Sequence, residues 1–235
     1  MTSGLIQLVS YGSQDLHLTN NPSMTFFKAV YRKHTNFSIE SISELVVGDT
    51  NFGGNCISEI SRKGDLLYKM YLQVILPPAT TVITSSVPTY ENWTNSVGYA
   101  LLEEVSIVIG GEEIDTHYSE WFDIWNELSD PHKKEWNMVG KKATYSSLIQ
   151  KQTDNTRYYI PLQFWFNKNP GLALPLIAIA HHKVEIKIKL RSLDSLIVTN
   201  GSGVSTSGNI QEMQLFIDYI YLDADERRRF AQTEH

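Results

Sequence analysis

The chain has 235 residues, with 20 Lys plus Arg against 26 Asp plus Glu. A formal charge of −6 gives it no general attraction for a phosphate backbone, which argues against direct nucleic-acid binding. The single cysteine, Cys56, excludes an intrachain disulfide framework and points to a reducing compartment. Residues 1–20 lack the charged start and apolar core of a signal peptide, and the longest apolar run, Leu172–Ala180, is far short of the ~20 residues that span a bilayer. A soluble protein made in the cytosol is expected. Its 12 Tyr, 9 Phe and 5 Trp favour strands over helices.

Residues 1–23 end in Asn20-Asn21-Pro22-Ser23, a strong turn signal, and read as an arm outside the main domain. Phe26, Phe27, Val30 and Tyr31 then fall at helix-like spacing among Lys28, Arg32, Lys33 and His34. Strand signals begin after Asn36, with Phe37–Val47 alternating loosely, a loop at Gly48–Gly54 and a short strand over Cys56–Ser61. Leu66–Leu76 is the clearest strand of this half. Its alternation puts Leu66, Tyr68, Met70, Leu72, Val74 and Leu76 on one face, with Lys69 and Gln73 on the other. Pro77-Pro78 stops it, since proline has no N–H for a ladder.

Residues 77–96 read as a long Thr/Ser/Pro loop, of the kind that is usually functional or mobile in a compact domain. Val97–Ile109 resumes apolar periodicity as a strand, and Gly110-Gly111 makes the hairpin into Glu112–Tyr118. Ser119–Leu128 is the best helix candidate: Ser119 can cap it, and Phe122, Trp125 and Leu128 recur at helical spacing. Asp130-Pro131 ends it, and residues 132–155 form a second long polar excursion.

The stretch Tyr158–Leu190 is the centre of the pattern. Tyr158 to Phe166 is an aromatic run that reads as a buried strand, with Trp165 in the core. Asn167-Lys168-Asn169-Pro170-Gly171 is a turn, Leu172–Ala180 an apolar corner, and Val184, Ile186, Ile188 and Leu190 alternate with Glu185, Lys187 and Lys189 as a half-buried strand. A Gly/Ser/Thr loop, Thr199–Asn209, leads to a last strand over Gln211–Asp223. About eight strands, long excursions and one or two short helices describe an all-β jelly-roll sandwich over residues 24–223.

Catalytic chemistry has little to stand on. The pairs Glu103-Glu104 and Glu112-Glu113 alternate across a strand and cannot form two-carboxylate sites. His181-His182 is separated by the same alternation and lacks metal-ligand spacing around it. Cys56 has no local activating signature and reads as a buried structural thiol. No phosphate-binding glycine motif occurs, and Gly201-Ser202-Gly203 has only loop composition. Arg227-Arg228-Arg229, flanked by Asp223, Asp225 and Glu226, reads as a solvated helix start. Sequons stand at Asn36, Asn92 and Asn200, the last two in loops expected to be exposed. No enzyme, metal or cofactor is expected.

Three blocks carry a family resemblance: PLQFWFNKNPGLALPLIAI at 161–179, GLIQLVSYGSQDLHLTNNPSMTFFKAVYRKHTNFSIES near the start, and DYIYLDADERRRFAQ near the end. In this order they resemble the major capsid proteins of nucleocytoplasmic large DNA viruses. The signature positions fall on Pro161, Phe164, Trp165, Phe166, Pro170, Gly171, Leu174 and Pro175. The resemblance implies a structural shell protein with two successive jelly rolls per subunit. Three subunits then make a pseudo-hexagonal, homotrimeric capsomer that tiles an icosahedral face. This chain corresponds to the amino-terminal jelly roll, with 224–235 starting the linker to a second. Implied partners are further copies, neighbouring capsomers and minor capsid proteins, with the amino-terminal arm touching the inner membrane side. The implied location is the virion, after synthesis and assembly in host cytoplasm. Fold alone leaves two other readings open, a carbohydrate- or receptor-binding sandwich on the virion surface and a cupin-like enzyme.

Overall fold

The computed structural model describes residues 36–79, 91–129, 133–143, 154–199 and 208–232, with a few positions before residue 15. The chain divides after Asn36 into a leading unit and a long one, Phe37–His235. Apart from those few positions, the arm expected at 1–23 lies outside the described residues, as does the segment 26–34. So do Asn200, Gly201-Ser202-Gly203 and the Asp130-Pro131 stop.

In the long unit the strands are β1 (Phe37–Glu44), β2 (Val47–Gly48), β3 (Asn55–Glu59), β4 (Leu66–Leu76), β5 (Glu91–Trp93), β6 (Leu102–Ile109), β7 (Glu112–Tyr118), β8 (Thr156–Pro161), β9 (Leu174–Pro175), β10 (Val184–Leu190), β11 (Ile197–Thr199) and β12 (Glu212–Leu222). Among the described residues, eight of them have five residues or more, as the sequence pattern leads one to expect. The helices are α1 (Val97–Leu101), α2 (Ser119–Ser129), α3 (Trp136–Val139) and α4 (Ala224–Gln232).

The strands pair as a first sheet in the order β1-β12-β4-β8, with β9 also against β4, and a second in the order β2-β3-β10-β6-β7. A small pair, β11-β5, stands apart. Every ladder is antiparallel. The last strand, β12, lies between β1 and β4, and β10 lies between β3 and β6. Late strands thus insert between early ones in both sheets, which is jelly-roll topology.

The inner faces meet in one large apolar cluster. Met70, Leu72, Val74 and Leu76 of β4 are at most 1% exposed, as are Ile186, Ile188 and Leu190 of β10. Each such side chain contributes about 1.5–3 kcal/mol relative to leaving it in water. The hairpin between β6 and β7 turns on Gly110 and Gly111, both at positive φ (63° and 91°), where a side chain would be strained.

Four local expectations are corrected by packing. The alternation of Leu66–Leu76 breaks, because the β12–β4 ladder shifts register between Ile217 and Tyr219. Ile217 faces Met70 and Tyr219 faces Leu67, so β4 carries one extra residue, a bulge that flips everything before it. Leu67, not Leu66 or Tyr68, enters the main core, and Leu66 and Tyr68 join a separate cluster with Ala173, Ile220, Leu222 and Phe230.

The other three concern element type. Val97–Leu101 is a helix rather than the start of a strand; Gly98 lets it approach Val139 and Ile160, which an added Cβ would meet at 3.1 Å. The aromatic run is no continuous strand: β8 ends at Pro161, and Trp165–Asn167 forms a 3-10 turn. The excursion 77–96 holds β5, whose Glu91, Asn92 and Trp93 are all buried, and the excursion 132–155 holds α3. Asn92 is therefore no exposed sequon; it is 4% exposed, with no hydrogen-bond partner among the described residues for either side-chain polar atom.

Candidate functional site

The signature stretch leaves β8 and crosses the edge of the sandwich beside α2. Its backbone is held by Asn167, the buried last residue of the first 3-10 turn. The Asn167 side-chain oxygen accepts from the Phe164 N–H at 3.0 Å, and its amide donates to the Tyr68 carbonyl. Phe164 and Phe166, one on either side of Trp165, are both fully buried and stack at 5.8 Å. Trp165 is only partly buried and meets Phe166 edge-on at 5.0 Å. The chain thus sends both phenylalanines inward and keeps the tryptophan at the margin, so the expectation that Trp165 is a core strand residue is corrected.

Phe164 also stacks on His117 of β7 at 4.9 Å, and Phe122 of α2 meets the same imidazole edge-on at 5.8 Å. His117 Nε2 lies 3.2 Å from Asp115 Oδ2, while Nδ1 is buried without a hydrogen-bond partner among the described residues. Burial holds this imidazole below the usual histidine range; the Asp115 carboxylate pulls the other way and the nearby Lys168 ammonium adds to the lowering. Aromatic spacing in the sequence gives no hint of His117, because its partners come from three separate segments.

Beyond the corner, Pro170 begins a second 3-10 turn, a position where its missing N–H costs nothing. Asn169 caps that turn by accepting from the Gly171 N–H at 2.9 Å. Gly171 is exposed, and its backbone is not among those at positive φ. Leu174 and Pro175 form β9 against Leu67 and Leu66. Residues 176–182 are turns, so His181 and His182 sit in a turn rather than on a strand. Arg62 fixes this turn by donating to the carbonyls of Ala180, Ile179 (3.1 Å) and His182 (2.8 Å). Of the signature residues, Phe164, Phe166 and Leu174 therefore converge on the main core, Trp165 flanks it, and Pro170 and Gly171 shape an exposed turn.

The first sheet also has its own polar frame. Glu44, 5% exposed, accepts from the Tyr219 hydroxyl at 2.7 Å and from the Ser61 hydroxyl, and pairs with Lys63 at 3.1 Å. Burial, then the hydrogen bond to Glu44, raises the Tyr219 phenol well above its ordinary range. Asp65 accepts from the Leu222 N–H at 2.9 Å and pairs with Arg227 of α4 at 3.1 Å. Asp223 accepts from the Ala224 N–H at 2.8 Å at the start of that helix. Phe230 of the same helix packs on Leu66, Ala173 and Ile220 and is partly covered. The arginine run is the helix expected, yet Arg227 also anchors it.

Among the described residues, no group of three or more His, Cys, Asp or Glu side chains gathers as a metal would require. Glu103 pairs with Lys189 at 2.7 Å, and Glu113 accepts from the Thr116 hydroxyl at 2.8 Å. Cys56 is 1% exposed, and burial, with Asp49 adding, pushes its thiol up to about 11. That thiol is protonated at neutral pH and inert. No described helix is long and apolar enough to cross a membrane.

What the fold and the corner define is a jelly-roll domain. The sequence profile of the family described as major capsid protein N-terminus matches residues 25–223. The chain belongs to that family. It is 46% identical over its whole length to the major capsid protein of Pyramimonas orientalis virus, covering 57% of that protein. To capsid protein 1 of Acanthamoeba polyphaga mimivirus it is 42% identical, again over its whole length and 42% of the relative. In structure it resembles a chain of the PBCV-1 virus capsid, with TM-score 0.73 and 35% identity over 90% of this chain and 48% of that one. The Faustovirus major capsid protein shares the fold, at TM-score 0.63 and 12% identity, over 94% of this chain and 60% of that one. The chain spans about half the length of the curated relatives it matches.

Proposed function

We propose that the chain is a shell-building part of a viral capsid subunit, the first of two jelly rolls in that subunit. Three subunits form a pseudo-hexagonal capsomer, and capsomers tile an icosahedral face. The observation that carries this reading is the whole-length identity of 46% to a major capsid protein, over a chain whose long unit is one jelly roll. In this reading the work is mechanical. The apolar outer side of the first sheet meets a neighbouring barrel, and residues 77–96 and 131–155 crown one end. Minor capsid proteins and the inner membrane side are further contacts, the latter through residues 1–23. Arm 1–23, barrel 24–223 and linker 224–235 are the working divisions, and no enzymatic step or cofactor is part of the role. Assembly takes place in host cytoplasm and the product resides in the virion. Quantitative mass spectrometry of purified, membrane-stripped virions tests it. Peptides from this chain should rank among the most abundant, and their restriction to trace amounts would contradict the proposal.

A further inference from the structure

Beside the signature corner lies a cavity of about 180 Å³, lined among others by Lys69, Trp125, Glu135, Gln163 and Lys168. Lys63, Lys141, Lys183 and Lys189 each sit 3.2 Å or closer to a carboxylate. Lys69 and Lys168 have no ion pair among the described residues; both lie against rings, and Lys69 also hydrogen-bonds to the Tyr71 side chain. The Lys168 ammonium stands 4.2 Å from the centre of the Trp125 ring and 5.6 Å from that of Trp121, and Lys69 stands 5.6 Å from that of Tyr68. Such cation–π contacts hold an ammonium in place without neutralising it.

The one carboxylate of the lining, Glu135, is already engaged. Its Oε2 accepts from the Asn126 amide at 3.0 Å and from the Tyr99 hydroxyl at 3.3 Å. Ser129 is likewise occupied, donating to the Trp125 carbonyl at 2.6 Å. The lining thus holds two lysines and one committed carboxylate, a net positive recess on a chain of net charge −6. We infer that this recess binds a carboxylate group, held between Lys69 and Lys168 with the Gln163 amide as a neutral donor. The cavity admits one small acidic group, whether an Asp or Glu side chain or the acid of a uronic sugar.

The test titrates the 235-residue chain with sodium acetate, sodium glucuronate, glucose and sodium chloride at matched ionic strength, following tryptophan fluorescence. Acetate and glucuronate should give a saturable change with half-saturation on the order of millimolar, as ligands so small allow. Glucose and chloride should give none. In Lys69→Gln/Lys168→Gln the half-saturation should rise at least tenfold, and Lys69→Arg/Lys168→Arg should keep most of the response. Glucuronate binding tenfold tighter than acetate assigns the recess to an acidic sugar; equal binding assigns it to a protein side chain. Three results overturn the inference: no saturable response to either carboxylate, an unchanged response in the folded glutamine variant, or glucose binding as well as glucuronate.

Discussion

On the outer side of the first sheet, Leu66, Ala173 and Ile220 are buried beneath the flank of α4, Phe37 and Ile39 of β1 continue the apolar row, and Ile39 is 49% exposed. Further along, Tyr71 and Phe216 pair across β4 and β12 on the side opposite Leu72 and Leu215. The outer side of the second sheet carries Glu185, Lys187 and Lys189 on β10, opposite Glu59, Ile57 and Asn55 of β3. Its charges pair with one another, Lys183 with Glu59 at 3.2 Å and Lys189 with Glu103 at 2.7 Å. Both sheets bury the same kind of inner face, so core formation does not require this difference. The first side offers an apolar patch suited to another protein surface, whereas on the second the exposed Val47, Ile57 and Tyr118 stand among paired charges.

The strongest way to break the comparison is to remove what both walls share. Phe164→Ala should cost about 3–5 kcal/mol, because a fully buried aromatic leaves a cavity against His117 and Phe166. Denaturant unfolding measures this. A loss below about 1 kcal/mol would mean that the corner is not part of the core. On the first wall, Ile220→Ala should cost about 2–4 kcal/mol and loosen α4, seen as faster amide exchange across Ala224–Gln232.

Acid sharpens the comparison from inside. The folded state holds His117 below its ordinary pKa, so under about pH 6.5 the unfolded chain takes up a proton that the folded chain refuses. Stability contributed by neutral His117 is complete above that pH and declines as pH falls toward the folded value. His117→Phe should flatten this part of the melting-temperature profile; an unchanged acid slope would count against the buried-imidazole account. On the second wall, Lys187→Ala should change stability by no more than about 0.5 kcal/mol, since Lys187 is exposed and has no ion pair among the described residues. A larger loss there would erase the contrast between the walls.

Much of this was legible in the sequence. The alternation of Val184–Leu190 and the hairpin at Gly110-Gly111 are period and turn chemistry, which depend on near neighbours, and the structure keeps both. The family resemblance drew on whole blocks and located the corner. What stayed hidden depends on distant partners. The bulge that turns Leu67 inward exists because β12 pairs across it, and nothing within Leu66–Leu76 announces it. The aromatic run looked like one strand, yet Asn167 takes the Phe164 N–H for its own side chain and ends the ladder. His117, Glu44, Asp65 and Arg62 act through residues far away in the chain, so spacing could not reveal them. Asn92 has the composition of a loop and the burial of a core residue, because β11 pairs with it.

The central claim is that this jelly roll builds a shell through the apolar side of its first sheet. Cryo-electron microscopy of the virion tests it most directly. Fitted into the capsid map, the sandwich should occupy the outer lattice with its eight long strands upright, three copies per capsomer. Density from another barrel should cover Phe37, Ile39 and Phe216, and the Lys187 side should be free of a barrel-sized neighbour. A lattice with no place for the sandwich, or with the Lys187 side packed and the Phe37 side open to solvent, would contradict the account.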